Sequence, residues 1–403
     1  MIPGAALLGP AGAPPVEAAQ ACEAALEEPV GCEPLERFAR RGDRVALLVP
    51  DGTRDAPRDV QVAVAMQRLR AAGVATGDVV VVVATGAHAV GVLPGLDFGL
   101  PVRLHDGHSE GLRDVGTTPT LRGRFLDGFL QAEALRRTER GPGSGLRMRA
   151  AASAGRSRTL RFAPEVVDAD LVVGLGVILP HSIAGFAGGA KMIFPGCADA
   201  RSIRENHALR MHPSVRRGRI EGNLAREHME AGVRLLRARR FSLDVLSRPG
   251  GGVVGAVAGD PEADVRAGAA RLAPALTALA PFAVDAVVAF LDGPVARTAY
   301  QATKGFAPMA PILAPSGAAI VVARCEGGVG DFRGARRIVA LGLRTTFGSA
   351  NRLLLVSGAS PDEVRRIGLE PFASVEDALR GVGPRADRTV VLHDAPWALC
   401  ALQ

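Results

Sequence analysis

The chain has 403 residues, of which 48% are apolar and 22% charged, with a formal net charge of +7. This length and composition predict a folded protein of two domains and exclude wholesale disorder and fibrous architectures. No apolar run reaches the roughly 18 residues of a membrane-spanning helix. The charges are dispersed and only 4% of residues are aromatic. Nucleic-acid binding is therefore disfavoured, and a basic balance favours small anionic substrates.

The N-terminus and the cysteines indicate a cytoplasmic protein. The first twenty residues lack the basic region of a secretory signal and predict an untargeted tail. The five cysteines are odd in number and include no C-x-x-C pair, which argues against a disulfide framework or a zinc ribbon. Cys197 is expected to be a small buried core residue.

Strands and helices alternate along the chain. In the first part, the patterns predict strands over 44–49, 79–83, 102–105, 169–175, 242–246 and 253–257, and helices over 59–72, 199–210, 221–237 and 260–278. The stretch 116–157 has no clear period and predicts loops with edge strands. A second alternation predicts strands over 284–290, 318–323, 353–356 and 389–393, and helices over 300–309, 334–341, 361–368 and 375–380.

This alternation predicts an α/β fold of two Rossmann-like lobes with mostly parallel sheets. An N-terminal catalytic and cofactor-binding domain is expected over 1–280 and a C-terminal α/β domain over 281–403, with the active site in the cleft between them. Polar clusters follow the strands: DGTR, TGAH and LPH in the first part, and LDGP with YQATK in the second. Because ligands bind outside the carboxyl ends of parallel strands, these clusters are expected to form one site.

The DGTR turn carries Asp51, Thr53 and Arg54. A guanidinium can clamp a carboxylate with two hydrogen bonds, and an aspartate can hold ribose hydroxyls. The simpler alternative is an Asp–Gly turn that caps the next helix.

His88 and His181 each follow a predicted strand. A single loop histidine is usually solvated, but two at the mouths of parallel strands are candidates for an acid–base pair. Proton transfer on opposite faces of one substrate is what racemisation requires.

Only two of the 48 basic side chains are lysines, Lys191 and Lys304. A lysine amine can be deprotonated and act as a nucleophile, whereas a guanidinium cannot, so these two lysines are candidates for chemical roles. The alternative is that two lysines remain in the sequence by chance. Lys191 lies in PHSIAGFAGGAKMIFPG, where glycines such as Gly188 and Gly189 would let the backbone approach a bulky ligand. Lys304 and Gln301 are three residues apart, as on one helix face.

His207, in Glu-Asn-His, is a candidate metal ligand, since a neutral imidazole suits nickel, copper or zinc. One histidine with no second protein ligand is rarely a metal site. His212 and His228 are close enough in sequence to be rival ligands, although both, with His105 and His108, are expected to be structural or surface residues.

These motifs, in this order and spacing, resemble the lactate racemase family, over nearly the whole chain. PHSIAGFAGGAKMIFPG and the downstream ENH are the most specific part. The resemblance implies a covalent nickel-pincer nucleotide, a pyridinium-3,5-dithiocarboxylic acid mononucleotide derivative joined to Lys191 through a thioamide, with His207 as the protein ligand to nickel. It implies His88 and His181 as the catalytic pair. Asp51, Thr53, Gly188 and Gly189 would contact the cofactor, and Arg54, Gln301 and Lys304 the substrate.

The implied activity is racemisation or epimerisation of a 2-hydroxy acid, lactate or a related one. The hydrogen on the substrate carbon would leave as hydride to the cofactor while a histidine takes the hydroxyl proton. The resemblance implies cofactor-maturation enzymes as partners. Neither nucleic acid nor a membrane is an expected partner. Gly52, Ala89 and Ala187 depart from the usual family residues, which leaves the particular substrate open. A nicotinamide-dependent dehydrogenase is an alternative, although no G-x-G-x-x-G occurs; a non-catalytic nucleotide or cofactor carrier is another.

Overall fold

The computed structural model describes residues 2, 5–52, 55–86, 97–136, 156, 158–330, 343, 346–347, 350–383 and 388–403, with only the backbone described for 131–136. The strands are β1 (Ala6–Leu8), β2 (Val45–Pro50), β3 (Val79–Ala84), β4 (Val102–Leu104), β5 (Arg113–Thr117), β6 (Thr159–Phe162), β7 (Leu171–Ile178), β8 (Pro180–His181), β9 (Gly185–Phe186), β10 (Arg239–Ser247), β11 (Val253–Gly259), β12 (Thr277–Ala280), β13 (Val284–Phe290), β14 (Leu313–Val322), β15 (Arg352–Val356), β16 (Glu370–Phe372), β17 (Thr389–Leu392) and β18 (Leu399–Leu402).

The helices are α1 (Ala18–Glu27), α2 (Leu35–Phe38), α3 (Arg58–Ala71), α4 (Arg122–Arg136), α5 (Pro164–Val167), α6 (Ala200–Ala208), α7 (Leu224–Val233), α8 (Pro261–Leu276), α9 (Ala299–Ala302), α10 (Pro361–Arg366) and α11 (Val375–Val382). Short 3₁₀ turns include Gly189–Met192 and Thr303–Gly305. No described helix is both long and apolar enough to cross a membrane.

The chain divides into two compact units. The large unit consists of Ala13–Gly128 and Ser153–Leu272, and the small unit of Met1–Gly12, Phe129–Ala152 and Ala273–Gln403. The division of the chain into domains at residue 280 stays a prediction.

The large unit is built on a six-stranded sheet in the order β11-β10-β7-β2-β3-β4. All neighbouring strands are parallel except β11, which is antiparallel to β10. Every residue of β2 and β7 is buried, as expected for strands covered on both faces. Helices α1, α2 and α3 contribute to the apolar core on one face, and the turn Gly189–Met192 packs on the other, where Met192 lies against Gly174 of β7.

The small unit has a parallel six-stranded sheet in the order β1-β17-β13-β14-β15-β16. β12 and β18 form a separate parallel pair. The prediction of a mixed α/β protein with mostly parallel sheets is confirmed. Within 116–157, where loops and edge strands were expected, the structure has helix α4. The predicted helix over 334–341 lies outside the described residues.

Candidate active site

The Gly-rich segment begins where β7 ends. It forms a two-stranded hairpin, in which Pro180 pairs with Phe186 and His181 with Gly185, and then the 3₁₀ turn Gly189–Met192. Gly185 has a φ of +77°, and a Cβ there would lie 1.9 Å from the carbonyl oxygen of Arg219. The segment therefore needs glycine at this position for both conformation and space.

The buried guanidinium of Arg226 holds this hairpin in place. Arg226 of α7 is fully buried, and it donates hydrogen bonds to the carbonyl oxygens of Ala184 at 3.2 Å, Gly188 at 3.5 Å and Phe186. Burial lowers the pKa of Arg226 to about 10, so the side chain stays charged at neutral pH. A single cation thus satisfies alternate carbonyls along the segment.

Asp244 of β10 holds the other end of the segment. Its Oδ2 accepts a hydrogen bond from the Gly189 amide at 2.7 Å. Its Oδ1 would lie 2.1 Å from a Cβ at Gly176 and 2.9 Å from one at Gly188, so the carboxylate occupies space that only glycines leave open. Gly189 has a φ of +56°, and a Cβ there would lie 2.1 Å from the carbonyl oxygen of Pro261. These glycines therefore serve internal packing, whatever else they contact.

Lys191 lies in the 3₁₀ turn, and its side chain is half-buried. Two backbone hydrogen bonds join this turn to the end of β3. The Gly196 amide donates to the Lys191 carbonyl at 3.2 Å, and the Gly86 amide donates to the Gly196 carbonyl at 2.9 Å. The lysine turn and the start of the TGAH turn are thereby fixed together; His88 itself lies outside the described residues.

Two nearby backbone amides fix the ring of His181. Its Nδ1 accepts hydrogen bonds from the amides of Ile183 at 3.2 Å and Ala184 at 3.1 Å. A ring nitrogen that accepts two N–H groups must carry its lone pair, so the neutral ring bears its proton on Nε2.

His207 lies near the end of α6, whose N-terminus Asp199 caps by accepting from the amides of Arg201 and Ser202. Its neighbour Asn206 donates to the Ala225 carbonyl at 2.9 Å and shares a hydrogen bond with Nδ1 of His228 at 3.2 Å. These contacts fix α6 against α7.

The other histidines serve packing or the surface, as predicted. Burial lowers the pKa of His228 to about 4, so the ring is neutral at pH 7. His105 is buried with Nε2 at 2.9 Å from the Ala198 carbonyl, His212 contacts the Ser214 hydroxyl, and His108 is exposed. Cys197 is fully buried, as expected, and burial raises the pKa of its thiol. No group of three or more His, Cys, Asp or Glu within the described ranges could hold a metal ion.

Asp51 lies at the end of β2 and is buried. Arg58 fixes this strand end by donating to the carbonyl oxygens of Pro50 at 2.9 Å and Asp51 at 3.1 Å. Thr53 and Arg54 lie outside the described residues.

Gln301 and Lys304 belong to the small unit. Gln301 is in α9, where its backbone N–H donates to the Thr298 hydroxyl at 3.2 Å. Lys304 follows in the turn Thr303–Gly305 and is half-buried. In place of the predicted helix over 300–309, the structure has the short helix α9 followed by 3₁₀ turns. The proximity of this pair to the large unit's residues stays a prediction.

Three charged residues that are fully buried were not identified from the sequence: Arg226, Asp244 and Asp264. The available signal was a carboxylate in the middle of an apolar strand, Asp244 in FSLDVLS, where a charge is costly unless it has a structural or chemical role.

The sequence model of the lactate racemase N-terminal domain matches residues 5–91 and 154–218. The lactate racemase of Thermoanaerobacterium thermosaccharolyticum is 27% identical over 325 residues, or 77% of this chain and 67% of its own length. That of Lactiplantibacillus plantarum is 25% identical over 311 residues, or 76% of this chain and 66% of its own. The chain thus spans about two thirds of the length of these relatives.

The fold is similar to two solved structures. The lactate racemase apoprotein from Thermoanaerobacterium thermosaccharolyticum matches with a TM-score of 0.78 at 21% identity, covering 98% of this chain and 94% of that one. A protein from Thermotoga maritima matches with a TM-score of 0.68 at 15% identity, covering 97% and 100%. The two sequence relatives indicate that this chain is a racemase, which is a kind of isomerase. The predicted resemblance to the lactate racemase family is confirmed: two segments of the chain match the model of that family's N-terminal domain, and both relatives are lactate racemases.

Proposed function

We propose that this protein is a cytoplasmic racemase or epimerase of a 2-hydroxy acid, lactate or a related one, that carries a nickel-pincer nucleotide on Lys191. The observation that carries the proposal is the construction of the Lys191 turn. Buried charges and obligatory glycines fix the half-buried Lys191 on a turn that is hydrogen-bonded to the strand end preceding His88. The curated relatives are lactate racemases.

The residues present fit such a cofactor. The described residues contain no cluster of protein ligands for a metal ion, so a metal held there would need donors from another source. A pincer nucleotide brings two sulfurs and a ring carbon, and requires from the protein one amine for attachment and one imidazole. Lys191 would provide the amine, and His207 the nickel ligand.

When bound, this cofactor supplies a reversible hydride acceptor. The chain would supply binding and proton transfer. Asp51 and Thr53, with the backbone at Gly188 and Gly189, would contact the nucleotide. Arg54 would hold the substrate carboxylate, with Gln301 and Lys304 from the small unit as further substrate contacts.

His181 and His88 would be the two proton carriers, one for each face of the substrate. In the arrangement described above, Nε2 of His181 bears a proton and can donate a hydrogen bond to a substrate oxygen. To accept a hydroxyl proton at Nε2, the ring must first move that proton to Nδ1. That tautomer loses the amide contacts of Ile183 and Ala184, so uptake of the hydroxyl proton would cost His181 both of these hydrogen bonds.

The two lysines allow a matched experiment. The protein is produced together with cofactor-maturation enzymes, and its intact mass and nickel content are measured. Wild type and Lys304→Arg should carry one adduct and about one nickel per chain, and Lys191→Arg should carry neither, since arginine cannot form the thioamide. An unmodified, nickel-free wild type would refute the cofactor assignment.

The acid–base roles are tested on the same preparations. His181→Asn and His88→Asn should keep the adduct yet lose racemisation of both enantiomers in a panel of lactate, malate, phenyllactate and sugar acids. Normal turnover by either variant would remove that histidine from the mechanism.

A further inference from the structure

One peptide group lies between the ring of His181 and the side chain of Asn223. Its N–H, which belongs to Ala184, donates to Nδ1 of His181 at 3.1 Å. Its carbonyl oxygen, which belongs to Ile183, accepts from Nδ2 of Asn223 at 2.9 Å. A trans peptide group is planar and its N–H and C=O point in opposite directions, so a rotation that breaks one contact also breaks the other. The Asn223 amide therefore controls one of the two hydrogen bonds that fix the His181 ring.

The side chain of Asn223 has one orientation that satisfies all of its partners. Asn223 is fully buried and is the N-cap residue of α7. Its Oδ1 accepts from the backbone amides of Ala225 at 3.0 Å and Arg226 at 3.2 Å. Its Nδ2 donates to the carbonyl oxygens of Ile183 at 2.9 Å and Arg219 at 3.0 Å. A flipped amide would point its donors at the two N–H groups of the helix, so the helix end fixes the direction of the donor.

The second carbonyl that Asn223 holds also packs against the hairpin. The carbonyl oxygen of Arg219 lies so close to Gly185 that a Cβ there would be 1.9 Å away. The Gly218 amide donates in turn to the Gly185 carbonyl at 2.9 Å. Asn223 thus joins the start of α7, the turn that precedes it and the hairpin that carries His181.

The first turn of α7 is itself fixed by further contacts. The Leu224 amide donates to the Ser214 hydroxyl at 3.2 Å, and the Ala225 carbonyl accepts from Nδ2 of Asn206 at 2.9 Å. The cap of this helix needs only an acceptor oxygen, which aspartate and serine supply as well as asparagine. What the amide of Asn223 adds to the cap is a donor for the hairpin.

We propose that Asn223 is a positioning residue for His181, whose amide holds the Ile183–Ala184 peptide group in the orientation that keeps the proton of the neutral ring on Nε2. The catalytic role of His181 rests on the proposed function, whereas the coupling between Asn223 and the ring does not.

Asn223→Asp separates the donor from the cap. Aspartate caps a helix as well as asparagine does, and the N-terminus of α7 favours its ionised form. A carboxylate cannot donate to the Ile183 carbonyl, so the peptide group should turn away from the ring. The ratio of the Nε2–H to the Nδ1–H tautomer of His181 should fall about fivefold, the effect of one lost hydrogen bond. Asn223→Ser, which keeps a capping oxygen and adds no buried charge, should shift the ratio in the same direction.

Nitrogen NMR of the full-length chain, purified without cofactor and labelled at histidine, measures this ratio at a pH where the ring is neutral. Asn351→Asp is the matched control, because Nδ2 of Asn351 also bridges two carbonyl oxygens, those of Ala314 at 3.0 Å and Gly317 at 3.2 Å, but in the small unit. The control should keep the wild-type ratio. The proposal is overturned if both Asn223 variants keep that ratio, or if the control shifts it equally.

Turnover of the loaded protein gives a second readout. In Asn223→Ser, the adduct and the nickel content should stay within about twofold of wild type, while kcat for racemisation should fall about fivefold or more with KM little changed, since His181 moves a proton. An unchanged kcat alongside a shifted tautomer ratio would refute the positioning role. A wild type with neither adduct nor racemisation would instead refute the proposed function and leave the tautomer result standing.

Discussion

Replacement of Arg226 by methionine should destabilise the large unit strongly. Methionine fills a similar volume but donates no hydrogen bonds. The carbonyl oxygens of Ala184, Phe186 and Gly188 would lose their donor, and Asp244 would lose its counter-charge. All of this occurs at a fully buried position, where water cannot replace the lost partners.

The magnitude follows from burial. A buried polar group left without its partner costs about 1–3 kcal/mol, and here three carbonyl oxygens lose their donor. These contributions overlap because the segment can relax, so we expect about 3–5 kcal/mol in total. For a unit of this size, 1 kcal/mol corresponds to about 2–4 °C, which gives a fall in Tm of about 6–20 °C.

Thermal unfolding followed by far-UV circular dichroism measures the effect. Arg234→Met is the matched control, because Arg234 pairs with Glu262 at the surface with 57% of its side chain exposed. The control should change the free energy of unfolding by less than about 1 kcal/mol. If Arg226→Met melts within about 2 °C of wild type, the guanidinium does not hold the segment.

Three further predictions concern single residues. Gly189→Ala should lower the free energy of unfolding by about 2–4 kcal/mol, since φ is positive and the Cβ would meet the Pro261 carbonyl. The control Gly123→Ala, where the Cβ would enter open space, should leave it unchanged or raise it by up to about 1 kcal/mol. Equal melting temperatures for the two variants would contradict this prediction. Nitrogen NMR, with His181→Asn to assign the signal, should find the neutral His181 ring protonated on Nε2, and a dominant Nδ1–H form would be inconsistent with the amide contacts. The pKa of His228 is lowered from 6.5 to about 4, so unfolded chains bind a proton in this window and native ones do not. Stability should thus fall by about 1.4 kcal/mol per pH unit on acidification, and His228→Gln should remove that slope in urea titrations.

The buried parallel strands were predictable because their signal is local. β2, β3 and β13 are short, largely apolar runs bounded by turn signals, and the structure has them within a residue of the predicted positions. Helix α4 was missed because glycines interrupt its pattern. A Cβ at Gly128 would lie 2.0 Å from Nε2 of His212, so a distant contact makes glycine necessary inside this helix.

Some residues of the candidate site could be proposed from the sequence for a similar reason. Strand-end motifs drew attention to Asp51, His181 and Lys191, and the structure places Asp51 and His181 at or just beyond strand ends. The supporting charges were not found, because sequence alone does not reveal burial. Arg226 has charged neighbours in the sequence, a pattern that is typical of a solvent-exposed helix face, yet it is fully buried. Its role depends on the carbonyls of a hairpin 40 residues away.

Strand β1 imposes a constraint on how the small sheet is assembled. Ala6 pairs with Val390, so β1 can join the sheet only after a strand that lies far later in the sequence has been made. Such a distant pairing closes slowly, since most of the polypeptide lies in the intervening loop. Expression of 273–403 alone would leave β17 without this neighbour. A stable fragment would need residues 5–12 fused to it, as in a circular permutant, so that β1 can pair with β17.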